Sequence, residues 1–457
     1  MLSANFDRFL FAYTIGSHII IVSASIALSL ILVILEFMLT RKDKPEYKTM
    51  LFKLKRMFIV SFGVGTASGI VLAVELVNLF PGFMTFVSST GAISLFYAEV
   101  SAFFLETFAL VIYVYYQDVF RWKYANLGIS ILVAIGVIMS AVFITMVNAW
   151  MNTPNGFNKS VYLSTGKITD VNPFAPFDTV STFNELAHVL TTTIFVGFVI
   201  LGAFFAYQYI RSKDSETRLI TKLGIRISGW MSAVFILLAG ITGGNEVISL
   251  LKYQPVKYAA IELDPNPGSG FGEHLLGSIV NGRIVGSITV PGLQAFLANF
   301  EAGITKLPGL SSYPQSDWPP LFVHTSFDVM VLGGLILGLF FFIFFIYEVL
   351  RKDMFKRKSI MYLEIAVGFF ALIVYDMGWV TDEVGRQPWI IYNIMTVNQA
   401  ANYSNALIVP GYLIIAFYLF LIPFTFYFFA RVFRGKPSSH ESGDIKEKRN
   451  SNKQGGV

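Results

Sequence analysis

Gly378-Trp379-Val380-Thr381-Asp382-Glu383-Val384-Gly385-Arg386-Gln387-Pro388-Trp389 closes a long apolar run, Met361 to Val380. A run of about 20 such residues is what a helix needs to cross a hydrocarbon layer. Two tryptophans at its exit mark a membrane–water boundary, and the glycines and Pro388 predict that the helix stops there. An interfacial anchor needs the tryptophans. It does not need a carboxylate, Glu383, and a fork donor, Arg386, set between them.

Composition agrees with a membrane setting. Of 457 residues, 54% are hydrophobic and only 14% charged, where a soluble chain carries about a quarter. With no cysteine, disulfides, cysteine-ligated iron–sulfur clusters, thiolate zinc sites and covalent c-type haem attachment are excluded. Any metal or haem must rest on His, Met or carboxylate, and there are five histidines to consider. Nothing points to nucleic acid.

Nine runs are long enough to span a bilayer: Ile15–Leu39, Met57–Phe80, Ala92–Tyr116, Leu127–Trp150, Leu186–Ile210, Ile227–Leu251, Phe327–Ile346, Met361–Val380 and Ala406–Ala430. The seventh and eighth carry Asp328, Glu364 and Asp376. The first is too long for a signal-peptide core and lacks a basic leader, so it is expected to be retained. Alternate connections are basic: Arg41 to Arg56, the region of Arg121 and Lys123, Arg211 to Arg226, Arg351 to Lys358, and the tail after Arg431. Together they hold 26 of the 34 Lys and Arg, which predicts an outside N-terminus and a cytoplasmic C-terminus. The expected architecture is an all-α, polytopic bundle of nine transmembrane helices. It forms one membrane-embedded domain over residues 1–434, with long outer connections at about 151–185 and at 252–320. A polar tail, 435–457, is expected to be disordered and cytoplasmic.

Four potential iron ligands fall near the outer ends of separate runs: His18 on the first, His188 on the fifth, Met330 on the seventh, and Glu383 just past the eighth. A lone membrane histidine more often pairs helices than holds metal, but four ligand types at one depth argue for iron. Axial His and Met fill both positions of an electron-transfer haem, whereas a single His or Glu leaves a position open for dioxygen. Glu99 and Glu106 lie almost two turns apart on one face of the third run, Glu106 near mid-membrane, where a carboxylate is by default a proton carrier or a ligand. Asn148 and Trp150 end the fourth run. On the 252–320 loop, Lys257 is a movable cation and Glu262 a proton acceptor, although residues five apart on a helix point away from each other. His274, His324 and His440 are read as non-ligands.

The segment Gly385-Arg386-Gln387-Pro388-Trp389, with Gly378-Trp379 and Glu383 before it, resembles the signature of subunit I of cytochrome bd-type quinol oxidases. The similarity spans roughly Arg8 to Arg434. It implies that His188, in Thr182-Phe183-Asn184-Glu185-Leu186-Ala187-His188, and Met330, in Phe327-Asp328-Val329-Met330, hold a low-spin haem b. It further implies that His18 and Glu383 hold two high-spin haems, one b and one d or both b. Asn148, Trp379, Arg386 and Trp389 would line the haems. Ala102-Phe103-Phe104-Leu105-Glu106 matches the family's proton-channel motif, with Glu99 one residue closer than usual. Gln254 to Glu262 is similar to its quinol-binding loop, in the short-loop form, with Lys257 and Glu262 at substrate-contacting positions.

The resemblance implies a multi-pass protein of a prokaryotic plasma membrane that oxidises quinol at the outer face and reduces dioxygen to water, building a proton motive force without pumping. The partners would be a subunit II in a heterodimer, small accessory single-span subunits and membrane lipid. Two departures stand out. Asp328 occupies a position where the family usually has Arg, and Ala73, Val74 and Glu75 replace an acid, an aromatic and a Gln. They keep open a diverged haem-binding electron carrier without oxygen reduction. A third class, a proton-coupled transporter, would use the same intramembrane acids.

Overall fold

The computed structural model describes residues 2–115, 123–269 and 271–435. In chain order the helices are α1 Leu2–Arg41, α2 Pro45–Leu79, α3 Pro81–Ser89, α4 Ile93–Tyr115, α5 Lys123–Asn152, α6 Lys159–Thr165, α7 Thr182–Arg211, α8 Ser215–Tyr253, α9 Pro255–Ile261, α10 Leu293–Ala302, α11 Phe322–Val349, α12 Lys358–Gly385, α13 Val397–Ala400 and α14 Ile408–Arg434. Among the described residues nine of these, α1, α2, α4, α5, α7, α8, α11, α12 and α14, are long and apolar enough to cross a membrane. They coincide with the nine runs. Arg121 and the tail from residue 436, with His440, lie outside the described residues.

Local chemistry sets the ends. Pro45, Pro81 and Pro255 open α2, α3 and α9, where a missing N–H costs nothing and a fixed φ helps. Asp214 caps α8 by accepting from the Thr217 amide at 2.8 Å. The bundle is organised around α1 and α7. In these two helices 61% and 72% of the apolar window is buried, against 17–33% in the other seven. They meet through Gly197, where a Cβ would stand 2.2 Å from the Ser23 carbonyl oxygen. Small residues of this kind let membrane helices pack backbone to backbone.

Two helix boundaries differ from expectation. Gly378 does not end α12, which continues to Gly385, so Glu383 belongs to the last helical turn. At Gly378 the glycine serves a close approach instead: a Cβ there would lie 3.1 Å from Met330 Sδ. Similarly, α1 extends outward to Leu2, so His18 lies well inside a helix rather than in its first turn.

The described residues of the 252–320 connection carry regular structure. After α9 it forms a two-tier hairpin from β1 Glu273–Leu275, β2 Ser278–Val280, β3 Arg283–Val285 and β4 Ile288–Val290. Antiparallel pairing puts Glu273 opposite Val290 and Ser278 opposite Val285. Its tip, Asn281-Gly282, has both φ values positive, the two-residue turn that matches strand twist. A further short pair, β5 Trp389–Ile391 and β6 Met395–Thr396, follows α12.

Candidate functional site

The four ligand candidates can be placed by helix rise. At about 1.5 Å per residue, His18 and His188 each stand about 35 Å from the basic ends of their helices at Arg41 and Arg211, Met330 about 29 Å from Val349 and Glu383 about 38 Å from Lys358. Each thus lies about 29–38 Å along its own helix from the end that joins a basic connection. All four are half-buried.

Each histidine has its tautomer fixed by a hydroxyl. His18 Nδ1 lies 2.7 Å from Ser68 Oγ, and that hydroxyl already donates to the Gly65 carbonyl. His188 Nδ1 lies 3.3 Å from Thr242 Oγ1, which donates to the Leu238 carbonyl. With both hydroxyl protons committed, the imidazoles must donate from Nδ1, which leaves the Nε2 lone pair for a ligand. This is the arrangement that metal-binding histidines use. Glycines face both rings: a Cβ at Gly69 would stand 3.4 Å from His18 Cε1, and one at Gly243 3.1 Å from His188 Cε1.

Around Glu383 a buried polar network joins α5, α9 and α12. The Arg386 guanidinium, 2% exposed, donates to Glu383 Oε2 at 2.5 Å, Asn148 Oδ1 at 2.5 Å and Asn152 Oδ1 at 2.8 Å. The Asn148 amide donates in turn to Asp382. Asn152 Nδ2 donates to Glu185 Oε1 at 2.8 Å. Lys257 is not the movable cation expected from sequence. It is buried, and its ammonium donates to Asp382 Oδ1 at 2.6 Å and to the Asp382 carbonyl at 3.0 Å. Trp379 packs at the edge of the main core cluster, and the Trp389 amide donates to the Arg386 carbonyl at 3.0 Å.

Glu99 and Glu106 share the face of α4 turned to α5. Ser140 Oγ donates to Glu99 Oε1 at 2.9 Å. Glu106 is buried beneath Gly136, where a Cβ would come within 2.7 Å of the Glu106 Cα. Glu75, the displaced acid of α2, is also buried and accepts from Thr14 Oγ1 at 3.1 Å, on the His18 face of α1.

Lys257 and Glu262 diverge. Lys257 turns to α12, while Glu262, 5% exposed, turns to the hairpin. Burial first, then the charges of Glu273 and Asp264, push the Glu262 carboxyl well above the ordinary carboxylate range. Burial likewise raises Asp264 to about 7. Asp264 accepts from Gln294 Nε2 at 2.6 Å. Asp328 accepts the Leu276 amide at 2.5 Å. His324 sits between, Nδ1 2.6 Å from the Ile261 carbonyl and Nε2 3.2 Å from the Leu276 carbonyl. It is thus a buried tie between α11 and the loop. His274, on β1, lies 3.0 Å from Thr289 Oγ1.

The profile described as cytochrome bd terminal oxidase subunit I matches residues 6–437. The chain belongs to that family. It is 30% identical over 425 residues to a Bacillus subtilis (strain 168) protein named as a candidate cytochrome bd menaquinol oxidase subunit I, covering 88% of this chain and 89% of the relative. Identity to the cytochrome bd ubiquinol oxidase subunit 1 of the same organism is 25% over 421 residues, 86% and 85% of the two chains. The solved bd oxidase of Geobacillus thermodenitrificans superimposes with a TM-score of 0.87 at 28% identity, covering 95% of this chain and 99% of that one.

The protein is therefore a multi-pass membrane subunit of a terminal quinol oxidase, from a family that carries haem and works with a subunit II. The readings as a simple electron carrier or a transporter fall away. The residues fit haem: two imidazoles engaged through Nδ1, a thioether and a carboxylate held by Arg386 are donors that haem iron takes. Two buried arginine nitrogens, Arg8 Nε and Arg386 Nε, have no partner, as donors awaiting an anionic group would. Sequence reasoning gave no role to Asp382, Glu185 and His324. Asp382 was legible as an acid beside Glu383, and Glu185 as an acid three residues before His188. The two-sided hydrogen bonding of His324 left no local signal.

Proposed function

We propose that His188 and Met330 hold a low-spin haem b, and that His18 and Glu383 each hold a high-spin haem, b and d or both b. When bound, these groups supply electron transfer and the reduction of dioxygen to water. The fixed Nδ1–H tautomers of His18 and His188 carry this reading. Arg386 engages one carboxylate oxygen of Glu383 and so turns the other toward the interior. Asn148 completes that clamp, and Trp379 and Trp389 line the haem edges.

Quinol binds at the 252–320 loop on the outer face, with the N-terminus outside and the C-terminus cytoplasmic. Glu262, whose proton affinity burial raises, is the base that in its ionised form accepts quinol protons. Lys257 ties α9 to the last turn of α12 through Asp382, so the substrate loop and the Glu383 turn are held as one body. Protons for water travel past Glu106 and Glu99 between α4 and α5, from the cytoplasmic side. The working unit is a heterodimer with a subunit II, with small single-span subunits at its edge.

Reduced-minus-oxidised spectra of the purified oxidase test the ligand set. His188→Ala and Met330→Leu should each abolish the low-spin bands and leave the high-spin bands. Unchanged spectra in both would remove the pair from consideration.

A further inference from the structure

We propose that α10 lies in the membrane leaflet on the side away from the basic connections, with Phe296, Leu297 and Phe300 among the acyl chains, and so seats the 252–320 loop on the bilayer.

α10 is amphipathic the wrong way round for water. Gln294 and Ala298, four residues apart and so on one face, are 3% and 4% exposed. The other side carries Phe296 at 61%, Leu297 at 40% and Phe300 at 77%. A helix on a water-facing surface does the reverse, burying its apolar stripe and turning its polar residues out. Here the inward polar side chain is fixed. Gln294 Nε2 donates to Asp264 Oδ2 at 2.6 Å and to the Tyr258 hydroxyl at 3.3 Å. The Ala295 amide donates to the Phe271 carbonyl at 3.2 Å, so the helix cannot roll over. The Phe296 and Phe300 rings stack with centroids 5.7 Å apart. β4, which leads into α10, adds exposed Ile288 and Val290. Apolar residues gathered in this way mark a surface that is covered in use.

Its height points to lipid as the cover. α9 starts two residues after α8 ends at Tyr253. Asp264 and Tyr258 join α9 and its exit to α10, and Lys257 joins α9 to the last turn of α12. α10 is thus fastened beside the points where α8 and α12 leave the bilayer. Tyr253 and Phe322, where the loop departs from α8 and enters α11, are exposed, as aromatic side chains at a membrane–water boundary are. The chemistry of the face agrees. Residues 293–300 carry no charge, and Asn299 is the exposed polar side chain among them. A protein partner would look for about one hydrogen bond per 100–200 Å² of interface, and acyl chains look for none.

With the loop as the quinol site, the seat also sets the route of entry. An isoprenoid-tailed quinol dissolves in the bilayer, and a loop lying in the leaflet meets it there. That route rests on the quinol reading of the loop; the seat itself does not.

The chain has no cysteine, so Phe296→Cys and Phe300→Cys each give it one thiol for a nitroxide spin label. The unsubstituted two-subunit oxidase, labelled alike, supplies the background from subunit II. In vesicles of phosphatidylethanolamine and phosphatidylglycerol, power saturation compares collisions with oxygen, which concentrates in lipid, and with a nickel chelate, which stays in water. Both labels should favour oxygen and lie about 5–10 Å into the headgroup–acyl boundary. A label at Lys213→Cys, exposed on a basic connection, should favour the chelate. Labels at 296 and 300 that favour the chelate overturn the proposal. Labels shielded from both agents overturn it too, because a protein would then cover the face. Phe296→Ser combined with Phe300→Ser should raise the KM for a long-tailed quinol in these vesicles and leave the KM for a tailless, water-soluble quinol as it is. Unchanged KM values with both labels in lipid would keep α10 in the leaflet and remove quinol from this loop.

Discussion

Replacing Lys257 by methionine removes one charge from the middle of the polar network while keeping its packing. The Lys257 stem lies against Gly385, where a Cβ would come within 2.8 Å of Cε, and a methionine fills the same groove. What is lost is the ammonium that holds Asp382 at 2.6 Å. Breaking a buried ion pair from one side costs about 3–5 kcal/mol, because the partner stays charged and unpaired. The Asp382 side chain is 24% exposed and retains the Asn148 amide, so the lower end, about 3 kcal/mol, is expected. Asp382→Asn alone strands a fully buried Lys257 and should cost a similar amount. The double variant is neutral on both sides and should cost no more than about 3 kcal/mol, which leaves a coupling energy of about 3 kcal/mol. Reversible unfolding in mixed SDS micelles, followed by tryptophan fluorescence, measures all four species. If the single losses simply add in the double variant, Lys257 and Asp382 are not a pair in the working protein, and the tie between α9 and α12 is wrong.

Three other outcomes follow from the geometry. Thr242→Val removes the acceptor that fixes the His188 tautomer, so low-spin haem occupancy should fall about 10-fold or more with the fold intact; full occupancy by pyridine haemochrome assay would contradict it. Glu106→Gln should slow turnover far more than it lowers haem content, and an unchanged oxygen-uptake rate would eliminate it as a proton carrier. Asp264 titrates at about 7 when folded, above its unfolded value, so the stability it lends is complete below about pH 4 and is lost as pH rises to about 7. Hydrogen exchange of the 252–320 loop, corrected for intrinsic rates, should therefore show less protection at about pH 8 than at about pH 5, and Asp264→Asn should reduce that difference, the raised Glu262 carboxyl accounting for part of the rest; an unaltered difference would place the titration elsewhere.

The nine spans were legible because apolar runs of bilayer length leave few alternatives. Their boundaries were less so. Gly378 has the look of a helix breaker, yet α12 passes through it, since a neighbouring Met330 needs the space a side chain would take. The Asn281-Gly282 hairpin tip had a clear local signature that went unused, because a long Gly-rich and Pro-rich connection reads as irregular. The ligand candidates came from residue type and depth alone. Their second partners did not, because Ser68 and Thr242 are ordinary hydroxyls until the helices are packed. Lys257 shows the opposite error. A lysine in a polar loop looks solvated and mobile, and only α12 turning Asp382 toward it makes it a fixed, buried cation.

The last turn of α12 explains why the opening stretch is so densely functional. Adjacent residues on a helix diverge by about 100°, so Asp382 and Glu383 cannot serve the same side. Asp382 reaches Lys257 on α9, while Glu383 pairs with Arg386. Arg386, one turn on, lies on the Glu383 face and locks it to α5 through Asn148 and Asn152. Asn148 then closes the circuit by bonding both Arg386 and Asp382. A displacement of the loop must therefore pull on the Glu383 turn, and a change of charge at Glu383 must be felt at Lys257. Two neighbouring acids about 100° apart thus let one helix end bond α9 through Lys257 and α5 through Arg386 and Asn148.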